Sequence, residues 1–322
     1  MNDKIKFAFL FSLVLLLATP AAASSLRADI LYLLPRESGE VAFVDLQEVR
    51  RSPHYQTIKR RVVPQRFAQF ERFIRSLGID VDTDLDWISW IQVAPGRVQP
   101  RELFFGIAEG RFQPQKVEEY FRKQKLPVES FRGQTLFPFG SGAGPDQFLL
   151  AFLDSSTAVF GTRPSLDLLL ETRFGGRENI FQNETLSARI SEVNGHSPIW
   201  IVMDDYYTRL AVSQLAPEAT KFPGFDGLAN RFRSALLRAD VGSELTLEFH
   251  IWCGGAIDAQ TFSLLLQTGL AVQGWRLQES NPELSAVLDR ADVSSAGDRL
   301  LVRLTAREDE LRALLDRPVK LF

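Results

Sequence analysis

The chain has little of what staples or metallates a small protein. Of 322 residues one is cysteine, Cys253, and three are histidine, His54, His196 and His250. A single cysteine excludes an internal disulfide, so stability must come from core burial. The histidines are scattered, and no pair has the H-x-x-x-H spacing that seats a metal on one helix face. Neither a G-x-S-x-G elbow nor a G-x-x-x-x-G-K-[ST] loop occurs, so no familiar nucleophile or phosphate motif is present. No cofactor and no metal are expected. Basic excess is missing too: the formal net charge is -3. Removing residues 1–23 takes away Lys4, Lys6 and Asp3 and leaves -4. Such a balance argues against nucleic acid as a partner, because phosphate binding wants a basic surface.

No apolar run reaches the roughly 20 residues of a comfortable membrane span. A shorter one stands at the start. Lys4 and Lys6 precede Phe7 to Phe11 and Leu13 to Ala18, interrupted by Ser12, and then come Thr19-Pro20 and Ala21-Ala22-Ala23. A charged start, a short apolar core and an A-x-A site make a secretory signal. The chain is therefore expected to be exported to the periplasm or beyond, with Ser24 as its mature first residue. The alternative is tethering by an uncleaved N-terminus. No cysteine follows the apolar core, so a lipid anchor there is not expected.

The hydrophobic content of 45% and charged content of 24% suit a folded body of one large or two smaller domains. The mature part carries one pattern twice, which predicts an α+β protein of two tandem modules, 24–176 and 177–322. Each module opens on an apolar strand ending in an acid, Glu40 to Asp45 and Pro198 to Asp204. A helical stretch follows each. Hairpins come next, Trp87–Val93 with Glu102–Glu109 and Ala235–Val241 with Glu244–Cys253. Helices are predicted from Pro114 and from Asp258 as an N-cap. Each module closes with a strand and a helix. The second of these closing helices is predicted from a capping box at Thr305 to Glu308. The first module also holds a helix from Pro64 to Leu77, stopped by Gly78, and an added hairpin of Val128–Phe139 and Gln147–Leu153. Antiparallel sheets with helices on one face are expected.

The phrases Pro35 to Asp45 (PRESGEVAFVD), Gly78 to Trp87 (GIDVDTDLDW) and Phe152 to Gly161 (FLDSSTAVFG) carry a resemblance. The chain resembles exported bacterial proteins built from a signal peptide and tandem α+β modules, to which no activity is assigned. The resemblance implies an architecture and a compartment, and no chemistry.

Four groups of residues are candidates for function. Asp80, Asp82, Asp84 and Asp86 alternate as calcium ligands do, but the positions that need Gly and a carboxylate hold Leu85 and Ile91. A polar turn explains them. Asp204 and Asp205 end an apolar strand with His196 just before it, the weak candidates for acid–base catalysis. Because Asp45 recurs at the matching place, helix capping explains that pair as well. A basic run spans Arg50, Arg51, Lys59, Arg60, Arg61, Arg66, Arg72 and Arg75, and could face anionic lipid or an acidic partner. Finally there are 25 phenylalanines; most belong in a core, while a surplus would line a groove for an acyl chain or a partner helix. Arg60, Arg61, Arg66, Phe67 and Phe70 combine the last two signals and are the candidate binding residues. Cys253, in an apolar segment, is expected to be a buried structural thiol.

The function this predicts is non-enzymatic binding, with an envelope protein, a lipid or another apolar ligand as partner. Two alternatives stand beside it. One is a hydrolase or other enzyme centred on Asp204 and Asp205, and the other is a structural part of a cell-envelope assembly.

Overall fold

A computed structural model describes residues 24–52, 55, 65–139, 144–215, 224–241, 244–310 and 313. Residues 1–23, Arg60 and Arg61, 140–143 and 242–243 lie outside the described residues. The chain divides into two compact units. One holds Ser24–Arg50 and Pro64–Ser187; the other holds Ala188–Phe322 with 1–23 and 51–63. The division thus falls at 187/188, whereas the sequence pattern placed it at 176/177.

In the first unit, helix α1 (Ala28–Leu31) leads to strand β1 (Glu40–Asp45) and helix α2 (Leu46–Val49). Helices α3 (Gln65–Ser76) and α4 (Val81–Asp84) precede the long hairpin of β2 (Leu85–Val93) and β3 (Leu103–Gly110). Helix α5 (Pro114–Lys123) follows, then β4 (Glu129–Phe131), β5 (Gln134–Phe139), β6 (Phe148–Phe152), β7 (Thr157–Thr162) and helix α6 (Arg163–Arg173); of helix α7 (Glu184–Val193), Ala188 to Val193 belong to the second unit. All strand pairs are antiparallel, in the order β1-β2-β3-β7-β6-β5-β4. The fold class is therefore α+β with antiparallel sheet, as the alternation of apolar runs and turns predicts.

Local chemistry accounts for the boundaries. Helix α3 stops at Gly78, whose φ of 82° lets its own N–H and that of Ile79 close back on Arg75 and Ile74. The stretch 128–139 was expected as one strand, but it splits into β4 and β5. Arg132 and Gly133 both take positive φ there, 49° and 81°, a tight turn that Asn-Gly would have announced and Arg-Gly does not.

The phenylalanines mostly fill this unit. Phe73 stacks on Phe139 at 5.1 Å and meets Phe121 edge-on, and Phe121, Phe137 and Phe152 continue the chain of rings. The cavity among Ile74, Leu85, Phe112, Phe152 and Phe160 measures about 10 Å³. That is room for one water and far too little for an acyl chain.

In the second unit, strand β8 (Ile199–Asp204) is buried along its whole length and runs into helix α8 (Asp205–Leu215). A short helix α9 (Phe225–Ala229) precedes β9 (Ser234–Val241) and β10 (Glu244–Trp252). Then come helices α10 (Ala256–Leu277) and α11 (Pro282–Asp289), and the hairpin β11 (Asp292–Ala296) with β12 (Arg299–Arg307). The antiparallel order is β8-β9-β10-β12-β11.

Two expectations are corrected here, and one strand is added. Helix α10 begins at Ala256 with Gly255 as N-cap, so Asp258 sits inside the first turn and pairs with Arg231 at 2.7 Å. The closing helix expected from Thr305 starts later: Thr305 to Arg307 still ladder with β10, and the helical residues described are Glu308 to Glu310 and Ala313. Strand β11 was not anticipated at all. Its sequence, DVSSA, holds a single large apolar residue, and only the turn at Gly297 (φ 59°) and the ladder with β12 define it.

Candidate functional site

The acids that end the two first strands do the same local work. Asp45 Oδ1 accepts the amides of Gln47 and Glu48 at 2.9 and 3.0 Å, and Asp204 Oδ1 accepts that of Tyr207 at 3.0 Å. Both are helix caps. Asp205 pairs with Arg209 one turn along, at 2.9 Å. His196 is exposed in the turn made by Gly195 (φ 79°), with its amide on Val193. It stands before the start of β8, while Asp204 ends that strand, so the two are about 20 Å apart. The structure does not bring His196 to the acid pair.

The four alternating aspartates close a turn. Asp80 caps α4 through the Asp82 amide at 3.0 Å, and Asp84 Oδ2 accepts the Asp80 amide at 2.8 Å. Arg75 pairs with Asp80 and Asp82, Arg111 with Asp84, and Gln47 donates to Asp86. Among the described residues no group of three or more metal-ligating side chains is placed to hold an ion.

The basic run is only partly visible. Arg66, Phe67 and Phe70 lie on α3, and their side chains are outside the described residues, as are Arg60 and Arg61 altogether. Arg50 is turned inward, donating to the carbonyls of Val81 (2.9 Å) and Leu85. Arg75 is taken up by acids, while Arg72 is exposed.

A denser electrostatic feature lies on the sheet of the second unit. Glu248 on β10 is flanked by Arg238 on β9 and Arg303 on β12 in directly opposed register. Arg238 Nε reaches Oε2 at 2.8 Å, Arg303 Nε reaches Oε1 at 2.8 Å, and His250 Nε2 lies 3.2 Å from Oε2. Burial opposes ionisation of Glu248, yet the hydrogen bonds from Arg303, His250 and Arg238 outweigh it and hold the carboxyl at about 2. Burial lowers the pKa of His250, and the charges of Arg299 and Arg238 add to this against Glu248. Beside them Arg189 stacks over Trp252 at 3.7 Å. Glu248 ties β9 and β12 to β10 through the two arginines, so the row braces the sheet. Cys253, at the end of β10, is buried; burial, with Asp258 and Asp298 nearby, pushes its thiol up to about 12. That is an inert thiol at neutral pH.

The feature that faces outward is α10. Its inner side packs Phe262 against Phe232 (4.5 Å) and Phe225, and its last turns meet α11, where Ser285 Oγ donates to the Gly274 carbonyl at 2.8 Å. Its outer side is apolar as well. Ile257 is 80%, Leu264 60% and Trp275 72% exposed, with Ala271 and Val272 on the same stripe. The spacing 257, 264, 271 and 275 keeps them on one face over about 27 Å of helix. Thr261 and Thr268 fall within the stripe, but their hydroxyls turn back onto the carbonyls of Ile257 and Leu264 at 2.8 and 2.9 Å. Each hydroxyl thus donates within its own helix. The 22 residues carry two charges, Asp258 and Arg276, one near each end. Ordinary surface helices set charge opposite their apolar side. An apolar stripe left facing water marks an interaction site. The sequence signal was the absence of charge between Asp258 and Arg276, which looks like a buried helix until the neighbours are known.

No described helix is long and apolar enough to cross a membrane. No protein-family model matches the chain, and no curated protein matches its sequence. Its fold is similar to that of a solved structure, crystal form I of TP0453, with a TM-score of 0.50 and 12% sequence identity over 92% of this chain and 97% of the other, a likeness of fold alone.

Proposed function

We propose that the chain is an exported, non-enzymatic binding protein that takes an apolar partner on the outward stripe of α10. The single observation that carries this is the exposure of Ile257, Leu264 and Trp275 along one charge-free face. The stripe suits an amphipathic helix of an envelope protein or a lipid surface, both of which offer a complementary apolar face. Export is supported by the signal pattern of residues 1–23. In this reading the two units are related modules. The correspondence of β1, α2 and the β2–β3 hairpin with β8, α8 and the β9–β10 hairpin supports it, with Asp45 and Asp204 as matching caps.

The test is site-specific photo-crosslinking in the source cell. A photoreactive residue at Leu264 or Trp275 is expected to capture one discrete partner or lipid, and the same residue at Lys116, on the exposed side of α5 in the first unit, to capture none. Equal yields at all three positions, or no adduct at any, would overturn the proposal.

A further inference from the structure

Ser24 is the first described residue, and its backbone nitrogen lies 2.8 Å from Asp45 Oδ2. Asp45 is 1% exposed. Its other oxygen is filled by the amides of Gln47 and Glu48. The segment beyond Ser24 is anchored, because Leu26, Ile30 and Leu34 are all buried in the same unit. Ser24 is thus fixed from both sides, with its nitrogen aimed at a buried carboxylate. The same residue follows the A-x-A site, so cleavage there turns this nitrogen from a peptide amide into an α-ammonium.

We infer that signal cleavage after Ala23 completes the fold by creating an ion pair between the new Ser24 α-ammonium and Asp45. The inference rests on the export reading. Before cleavage Asp45 Oδ2 receives one neutral N–H; after it, a cation with three donors stands at the same place. Charge-assisted hydrogen bonds are roughly twice as strong as neutral ones. The surroundings favour the charged amine. Glu48 lies in the first turn of α2, and Asp86 is held against that turn by Gln47 Nε2 at 2.6 Å. The nearest cation on the incoming segment, Arg27, is occupied by Asp29 and Glu109. The pairing raises the α-amino pKa in the folded protein. Its contribution is therefore full below the unfolded value of about 8 and is lost as pH rises through the folded one.

The experiment compares three forms of chain 24–322: a free Ser24 amine, the same chain N-acetylated, and the chain extended by Ala21-Ala22-Ala23. Urea unfolding at pH 6 is expected to give the free amine at least a tenfold larger folding constant than the other two. That advantage should shrink toward pH 10. Asp45→Asn, which keeps a capping oxygen, should erase the difference between free and acetylated chains while both still fold. Equal unfolding of all three forms at pH 6 would overturn the pairing, as would an α-amino group titrating near 8. The intact mass of protein recovered from the periplasm tests the export reading separately. A first residue other than Ser24 defeats cleavage at that site and leaves the result on the recombinant forms readable.

Discussion

Glu248 faces Arg303 directly across the β10–β12 ladder, and the guanidinium Nε donates to its carboxylate at 2.8 Å. With Arg238 opposite on the other side, one buried acid balances two arginines drawn from neighbouring strands. Glu248→Gln takes the buried carboxylate from both cations and leaves Arg238 only Asp240, at 3.9 Å. It is expected to cost about 2 kcal/mol at pH 7, within the range for hydrogen bonds to charged groups. Because the folded carboxyl is held at about 2, its stabilisation is present above the unfolded value near 4.3 and is lost as pH falls through 2. Urea titrations of wild type and variant should therefore converge between pH 4 and 2. Curves that stay parallel over that range would refute the assignment.

Leu264 and Leu266 sit two positions apart on α10 and should respond oppositely. Leu264→Glu, on the exposed stripe, is expected to shift stability by no more than about 0.5 kcal/mol and to abolish capture of the partner. Leu266 is buried, so Leu266→Ala should cost about 3 kcal/mol. Thermal unfolding with the crosslinking assay separates the two effects.

Gly106 on β3 lies under the ring of Phe160 on β7, its register partner. A Cβ built at Gly106 would meet Phe160 Cζ at 2.1 Å. Gly106→Ala must push the ring aside and is expected to destabilise the first unit by about 2 kcal/mol. Chemical denaturation of the variant measures this, and an unchanged midpoint would contradict the close approach.

Cys253 should resist alkylation in the folded chain at pH 8, since its thiol is buried and pushed up to about 12. One adduct should appear by intact mass once the protein is unfolded in guanidinium. Rapid labelling of the native protein would show that β10 opens at its end.

Much of the architecture was legible because apolar runs and caps announce themselves locally. The strand Glu40–Asp45 with its capping acid, the helix stopped by Gly78, and the helix opened by Pro114 are all visible in a few residues. What could not be seen depends on partners distant in sequence. Thr305 to Glu308 satisfies a helix-start pattern, but the long ladder with β10 keeps Thr305 to Arg307 in the strand and delays the helix to Glu308. Glu248 looks like any strand glutamate until Arg238 and Arg303 are known to stand on either side. The stripe on α10 was missed for the opposite reason: its apolar residues fit a buried helix, and only the exposure of Ile257, Leu264 and Trp275 among the described residues marks them as surface.

The near absence of charge along α10 has a thermodynamic consequence. Whatever seats itself between Ile257 and Trp275 displaces water and almost no counterions. Its affinity should change little between low and high salt. It should weaken on cooling and carry a negative heat-capacity change. Calorimetry would therefore tell this contact apart from one made through the arginines near α3, which salt would dissolve.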